Sequence, residues 1–437
     1  MERIAFYFLL AMLVFLPIPL GSNRPWAWSL FEISIALITL LSLLSVSTAD
    51  IFERVKKHGV ILVLLCFTQL YVSVQLISIG DVQISLDPEQ TKISLLKGVC
   101  YCLFVFSSIV LLYSQKRIKR FVLAIVIAAF LQALYAIYLQ YSGLDATPVF
   151  GYEIYERANG SFVYHNHLAN YLLIGGALAI GLLISQLKRP KQRTDSLKRV
   201  VMGFMEAIMS SKWLIRVAII TIVVALILTR SRMANSAFFI SLLATAILAL
   251  FVMKNAPPML KWLIISLVVI DVSIVGALFG IDKVKERIDT TSFQGETRDD
   301  VVTMSLPIIE EYWLTGTGAG TFYTVFPKYH TDTIHLHYDH AHNEYLQFLI
   351  EYGIVGLLLL GGSIAYSLLR AISALKNRSD PMSQGIAFAS IMAIVGMLIH
   401  ISVDFPLQAP ATTINFLALM ILGVICGTRP ARKKLLY

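Results

Sequence analysis

The chain has 437 residues, 57% of them hydrophobic and only 14% charged, and its mean hydropathy of +0.73 excludes a water-soluble domain: lipid is its solvent. A net charge of +9 raises nucleic acid as a partner, but the basic residues lie in short runs between apolar segments, which is a membrane-topology signal and excludes that class. The four cysteines, Cys66, Cys100, Cys102 and Cys426, all fall in apolar stretches without CxxC spacing, so neither a disulfide framework nor a thiolate metal site is implied.

A bilayer core takes about 20 apolar residues per helix. Twelve runs near that length follow one another, near 4–21, 27–47, 59–79, 94–113, 120–142, 167–187, 213–229, 233–253, 260–280, 345–370, 384–402 and 412–428. The first follows Met1-Glu2-Arg3 and ends without a small-residue cleavage pattern, so it reads as a retained helix rather than a cleaved signal peptide. With the N-terminus taken as cytoplasmic, the even loops carry Arg54/Lys56/Lys57, Lys116/Arg117/Lys119/Arg120, the block from Lys188 to Lys212, Lys254/Lys261 and Arg370/Lys376/Arg378. The tail adds Arg429, Arg432, Lys433 and Lys434. The positive-inside rule then places both termini in the cytoplasm. Residues 1–437 read as a single polytopic membrane domain, with no internal repeat and no low-complexity tract.

Three polar segments face outward in this arrangement: 143–166, the tight turn from Thr229 to Arg232, and 281–344 between helices 9 and 10. The last, at roughly sixty residues, exceeds an ordinary connection, and such loops carry function or structure of their own. Within it the stretch from Thr303 to Ile309 has a helical pattern, which Gly316, Gly318 and Gly320 break.

The residues suited to chemistry collect in these outward segments. The run Arg157-Ala158-Asn159-Gly160-Ser161-Phe162-Val163-Tyr164-His165-Asn166-His167 offers amides and rings to a sugar, or forms an interfacial aromatic turn. Arg230 and Arg232 lie in a hairpin so short that their side chains sit at the membrane surface, and Arg298 lies in the long loop. Arginines there oppose the usual charge bias and suggest an anionic partner; a guanidinium fork binds phosphate bidentately, and a lipid pyrophosphate presents its charge at that depth. The competing explanation is snorkelling, or an ion pair of Arg298 with Glu296, Asp299 or Asp300. The densest cluster is His335-Leu336-His337-Tyr338-Asp339-His340-Ala341-His342-Asn343-Glu344. It supports a general base, a zinc site or a solvated loop, and spacing alone leaves the three open. Asp404 sits at the outer end of helix 11 as a partner for an outer arginine. Asp271, inside helix 9, marks either an ion path or a packed acid.

These segments resemble the O-antigen ligase and polymerase superfamily. The resemblance rests on Ser231-Arg232 opening a helix, on Gly160-Ser161-Phe162 through Asn166-His167-Leu168-Ala169, and on Arg298 followed by Trp313-Leu314-Thr315-Gly316-Thr317-Gly318-Ala319-Gly320-Thr321-Phe322. Its most specific element is His342-Asn343, nine residues, then Gly353-Ile354-Val355-Gly356. Two departures are Met233, where a glycine is usual after Ser-Arg, and the extra histidines His335, His337 and His340.

The resemblance implies an all-α integral membrane fold with about twelve transmembrane helices and GT-C-type glycosyltransferase architecture, in a bacterial inner membrane with the active site on the periplasmic face. The activity it implies is metal-independent, inverting transfer of a glycan from undecaprenyl pyrophosphate, with no cofactor. The acceptor is lipid A core for a ligase or another lipid-linked repeat for a polymerase; the His342 to Gly356 spacing favours a ligase, and Asp404-Phe405-Pro406-Leu407-Gln408 resembles the polymerases. His342 takes the catalytic histidine's role, and Arg232 and Arg298 those of two arginines that clamp the pyrophosphate. Arg230, Arg157, Asn166, His337, His340, Asn343 and Asp404 are the candidates for binding substrate. A lipid-linked glycan transporter is the rival from another class; transporters tend to show repeat symmetry and polar or broken helices at the midplane, whereas here the arginines and histidines collect at one face and the helices are largely unbroken.

Overall fold

The computed structural model describes residues 1–79, 82–154, 156–186, 212–253, 298–329 and 338–428, with the single positions 265 and 269. The structure is helical; among the described residues the only strands are a two-residue hairpin pairing Ser78–Ile79 with Val82–Gln83. Fourteen α-helices are numbered here in chain order: α1 Glu2–Phe15, α2 Pro25–Ser45, α3 Thr48–His58, α4 Val60–Gln75, α5 Pro88–Leu111, α6 Gln115–Tyr141, α7 His165–Ser185, α8 Lys212–Leu228, α9 Arg232–Val252, α10 Arg298–Tyr312, α11 Phe322–Val325, α12 Glu344–Asn377, α13 Pro381–His400 and α14 Pro410–Thr428.

Eight of them, α2, α5, α6, α7, α9, α12, α13 and α14, are long and apolar enough to cross a bilayer, and α3 with α4 make a further candidate bent by 86°. The chain is therefore a multi-pass membrane protein. Eleven of the twelve apolar runs coincide with helices, while 260–280, the Lys254/Lys261 and Lys188-to-Lys212 loops, Asp271 and the basic tail lie outside the described residues, apart from Lys212 at the start of α8. α1 stops at Phe15 because Pro17 and Pro19 follow, and the chain turns back through Leu20, Gly21 and Ser22, all with positive φ. The basic stretch read as a loop at Arg54/Lys56/Lys57 is instead α3. Its N-cap Ser47 accepts the Asp50 N–H at 3.2 Å, and it lies nearly perpendicular to α4 with Phe52 exposed, the form of an interfacial helix. α5 begins six residues before its apolar run because Asp87 caps it and Pro88 occupies the first turn.

α7 is the central helix, buried along nearly its whole length between α6, α8, α13 and α14. At one end of the bundle basic side chains bind helix ends: Arg54 donates to the Val110 carbonyl at 2.6 Å, Arg370 and Arg378 to that of Gly427 at 2.8 and 2.9 Å, and Arg117 pairs with Glu2 at 2.9 Å. The long 281–344 segment is not a simple loop: α10 and α11 fold in it, and Val301, Ile308, Phe322, Val325, Phe326, Ala341 and Ile350 make a small apolar core over the opposite end.

That cap is locked to α12 by a glycine crossing. Gly353 interrupts α12 at φ 60° and ψ −174°, a conformation only glycine adopts at low cost. A Cβ there would collide with the Leu314 carbonyl, and one on Gly316 (φ 70°) with the backbone of Glu351. The break lets the 313–318 segment exchange hydrogen bonds with the helix: Thr317 N–H donates to the Ile350 carbonyl and Ile354 N–H to that of Trp313, both at 2.8 Å.

Candidate functional site

The polar residues singled out in the sequence gather at the capped end, opposite the arginine-rich one. Three segments far apart in the chain meet there: 156–170 leading into α7, 338–351 leading into α12, and 400–408 between α13 and α14. The Glu344 N–H donates to the Ile401 carbonyl at 2.9 Å, and Leu407 N–H donates to Glu344 Oε1 at 3.0 Å. Asn343 caps α12, its Oδ1 accepting the Leu346 N–H at 3.2 Å, so Asn343 secures the helix that carries the site.

Phe405 is the hub. Its ring lies 4.5 Å from that of His340, 4.7 Å edge-on from His342, 5.0 Å edge-on from His167 and 5.6 Å, stacked, from Tyr164. Beside it Asp404 is buried; its Oδ2 accepts from Asn166 Nδ2, its Oδ1 accepts the Phe405 N–H at 2.8 Å, and His400 Nε2 lies 3.9 Å away. Asn170 and His400 Nδ1 share a hydrogen bond of 2.8 Å. One buried polar chain thus runs from α7 through α13 to the 404–405 turn.

A second chain holds the histidine segment from below. Gln347 donates to Glu351 Oε1 at 3.0 Å, shares a 3.2 Å hydrogen bond with His340 Nδ1 and accepts the Ala341 N–H at 3.2 Å. Burial, only partly offset by Asp339 and Gln347, pushes the His340 imidazole down to about 4, so it is neutral near pH 7. His342 has φ 51°, a left-handed conformation uncommon outside glycine. Such strain costs about 1–3 kcal/mol and collects at functional sites.

The arginines divide. Arg232 opens α9 directly after Ser231, and the turn before it is tied to the 156–170 segment twice. Ala158 N–H donates to the Leu228 carbonyl at 3.1 Å, and Arg230 lies 3.6 Å from Glu156. Arg232 and Arg230 therefore sit at the same end of the bundle as His342. Arg298 is the first residue of α10, whose Val301 and Ile308 share the apolar core with Ala341; its side chain, like His335 and His337, lies outside the described residues. Arg157 is exposed and bonds His165 Nε2 at 3.0 Å. The Gly160-Ser161-Phe162 stretch is buried: Ser161 Oγ donates to the Pro17 carbonyl at 2.6 Å, and Phe162 packs on Tyr171. Among the described residues no three His, Cys, Asp or Glu side chains are arranged to hold a metal ion.

Gln347 and Glu351 have no place in the sequence reading, and Phe405 and Glu344 enter it only as members of longer segments with no role of their own. Phe405 looks like an ordinary interfacial aromatic until the rings around it are seen. Glu344, Gln347 and Glu351 fall at i, i+3 and i+7, one face of a helix otherwise apolar; buried polar residues at that spacing in a membrane span are the signal that finds them.

These features define a polytopic helical membrane protein with a buried polar site at one end, roofed by a folded loop. Residues 217–361, about a third of the chain, match the family model described as O-antigen ligase, and over that segment the chain is similar to the O-antigen ligase-like superfamily. The matched segment contains Arg230, Arg232, Arg298, His340, His342 and Asn343, while Arg157, Asn166 and Asp404 fall outside it. No curated protein matches the chain.

Proposed function

We propose that this chain is a membrane glycosyltransferase that moves a glycan from undecaprenyl pyrophosphate to an acceptor hydroxyl on the periplasmic face, with lipid A core as the acceptor. The observation that carries the reading is the meeting of His342, which lies within the family match, with the Asn166–Asp404 pair around Phe405. The arginine-rich end, opposite the site, supports a cytoplasmic placement for that end and a periplasmic one for the site.

A donor acting outside the cytoplasm must carry its own activation, and a diphosphate leaving group does so. In the proposed step the bond between the anomeric carbon and the diphosphate oxygen breaks as the acceptor oxygen bonds to that carbon from the opposite face, inverting it. The electron pair leaves with the diphosphate, where Arg232 and Arg298 stabilise the charge. The acceptor proton passes to His342. His340, neutral and fixed by Gln347, sets the position of the 340–342 turn, and Asp404 and Asn166 hold the Phe405 turn against His342. The test is transfer by purified protein from a lipid-linked glycan to lipid A core, run beside a second lipid-linked repeat as acceptor. Product on lipid A core supports the ligase reading, and product only on the lipid-linked repeat replaces it with a polymerase. A chain that yields no covalent product but moves the lipid between leaflets would be a transporter.

A further inference from the structure

Lys97 is a cation inside a membrane-spanning helix that the proposed transfer does not yet use. α5 starts at Pro88, and its start is fixed to the capped end. Leu86 N–H donates to the Thr317 carbonyl at 2.8 Å, and Thr91 Oγ1 to that of Ala319 at 3.1 Å. At 1.5 Å per residue Lys97 lies about 13 Å along the helix from that end, three residues into the apolar run that begins near 94. Around it Ile93, Leu96 and Val99 are exposed apolar side chains of a lipid-facing surface. A lysine within a membrane-spanning helix is costly and in general marks function.

Its surroundings match that expectation. The ammonium lies over the Trp28 ring, 3.5 Å from its centroid. Two titratable groups lie within through-space reach, Glu32 on α2 and His340 at the site. Among the described residues no carboxylate oxygen comes within 4.0 Å of it, and Glu32 Oε1 is buried with no hydrogen-bond partner among them. An indole face stabilises a cation by about 0.5–2 kcal/mol, less than a phosphate oxygen in direct contact offers. The ammonium is thus held on an indole face, in a form that a stronger anion can capture.

We propose that Lys97 is a further donor-binding residue, which leaves the Trp28 face to bind the phosphate nearest the lipid chain while the arginines take the phosphate nearest the sugar. The inference rests on the polyprenyl diphosphate donor of the proposed function. Geometry sets the division: a diphosphate whose sugar end reaches His342 points its lipid end down into the bilayer, and Lys97 is the cation on that side.

The test uses purified protein in lipid nanodiscs, titrated with farnesyl diphosphate, farnesyl monophosphate and farnesol. Trp28 emission is read as the difference between wild type and Trp28→Phe. Both phosphates should change the Trp28 signal and farnesol should not. Lys97→Met should weaken diphosphate binding by about tenfold and raise KM for the lipid-linked donor more than it lowers kcat, while Lys97→Arg should restore most of both. Wild-type affinity in Lys97→Met, or diphosphate binding to wild type without any Trp28 response, overturns the role of Lys97 and leaves the transferase reading standing. Wild type that binds farnesyl diphosphate no better than farnesol removes the donor itself, and Lys97's role with it. If Lys97→Met does not fold, the wild-type and Trp28→Phe comparison decides alone.

Discussion

Replacing Phe405 by leucine tests the site's construction without touching any group proposed to react. Leucine keeps most of the side-chain volume and the backbone, so the Phe405 N–H bond to Asp404 persists, but the ring contacts to His340, His342, His167 and Tyr164 are lost. Aromatic pairs contribute about 0.5–1.5 kcal/mol each beyond buried area. Phe405 is only half-buried and the four contacts share one ring, so a combined loss of about 2 kcal/mol is the expected scale. Most of it should appear as disorder of the 340–342 turn and not as global unfolding, because the α7–α13 core beneath stays intact. A displacement of about 1 Å at a reacting group costs about 10²-fold in rate, so transfer should fall by that order while the unfolding temperature shifts by a few degrees. Single-turnover transfer and thermal unfolding in the same detergent provide the measurements. In a His342→Ala background Phe405→Leu should cost nothing further, since the effect passes through His342. Wild-type transfer by Phe405→Leu, or fully additive losses in the double variant, would refute the reasoning.

His342→Asn should fold like wild type, since asparagine tolerates the left-handed backbone at φ 51°, yet lose glycan transfer; transfer within a few-fold of wild type would remove the imidazole from the mechanism. Arg232→Lys keeps the charge and loses the fork, so transfer should drop at least about tenfold; unchanged turnover would argue for a snorkelling role. Gly353→Ala places a Cβ against the Leu314 carbonyl in a backbone region only glycine favours, and should destabilise the roofing segment by more than about 2 kcal/mol, seen as proteolysis within 298–329 before the rest of the chain. For His340 the folded-state value near 4 lies below the ordinary 6.5, so the unfolded chain binds the extra proton between them. Stability should be full above about pH 6.5 and fall as the pH drops toward 4. His340→Gln should flatten that slope in unfolding experiments at pH 7, 6 and 5.

What the sequence made legible follows from what lipid demands. Apolar runs near bilayer length became helices because an unpaired backbone in hydrocarbon is too costly. α3 escaped notice because an interfacial helix satisfies its charges in water and has no apolar run to count. The start of α5 escaped because its first turns, Pro88 to Lys92, are polar, although Asp87-Pro88 is an N-cap signature. At the site, His342, Asn166, Asp404 and Arg232 were visible as polar residues at the ends of apolar runs. Their grouping was not, because it depends on which helix ends meet. The Gly316 and Gly353 motifs were read through the resemblance, and the structure supplies their physical cause, two backbones crossing at a distance that excludes any Cβ. Gln347 and Glu351, which continue the face of α12 begun by Glu344, were hidden inside an otherwise apolar run.

The two helices under the site bear on whether it works as an enzyme or as a gate. α7 and α13 touch backbone to backbone at Gly181 and Gly385, where a Cβ on either would strike the carbonyl of the other. Close approach of this kind is how helices bind each other in lipid, where burial of apolar surface gives no net driving force. The same two helices carry the Asn170–His400 bond and, at their ends, Asn166 and Asp404. Alternating access requires one packed unit to rock against another around the binding site. A floor sealed by glycine contact and crossed by a buried polar chain resists such rocking, because each opened bond would leave unsatisfied polar groups in hydrocarbon. Among the described residues, the 338–343 turn with its strained histidine and the α10–α11 roof, which reaches the bundle through Gly316 and Gly353, lie above this floor. A rigid floor beneath these segments suits the proposed transfer, in which the site admits a long glycan and then holds its reducing end still, better than it suits transport.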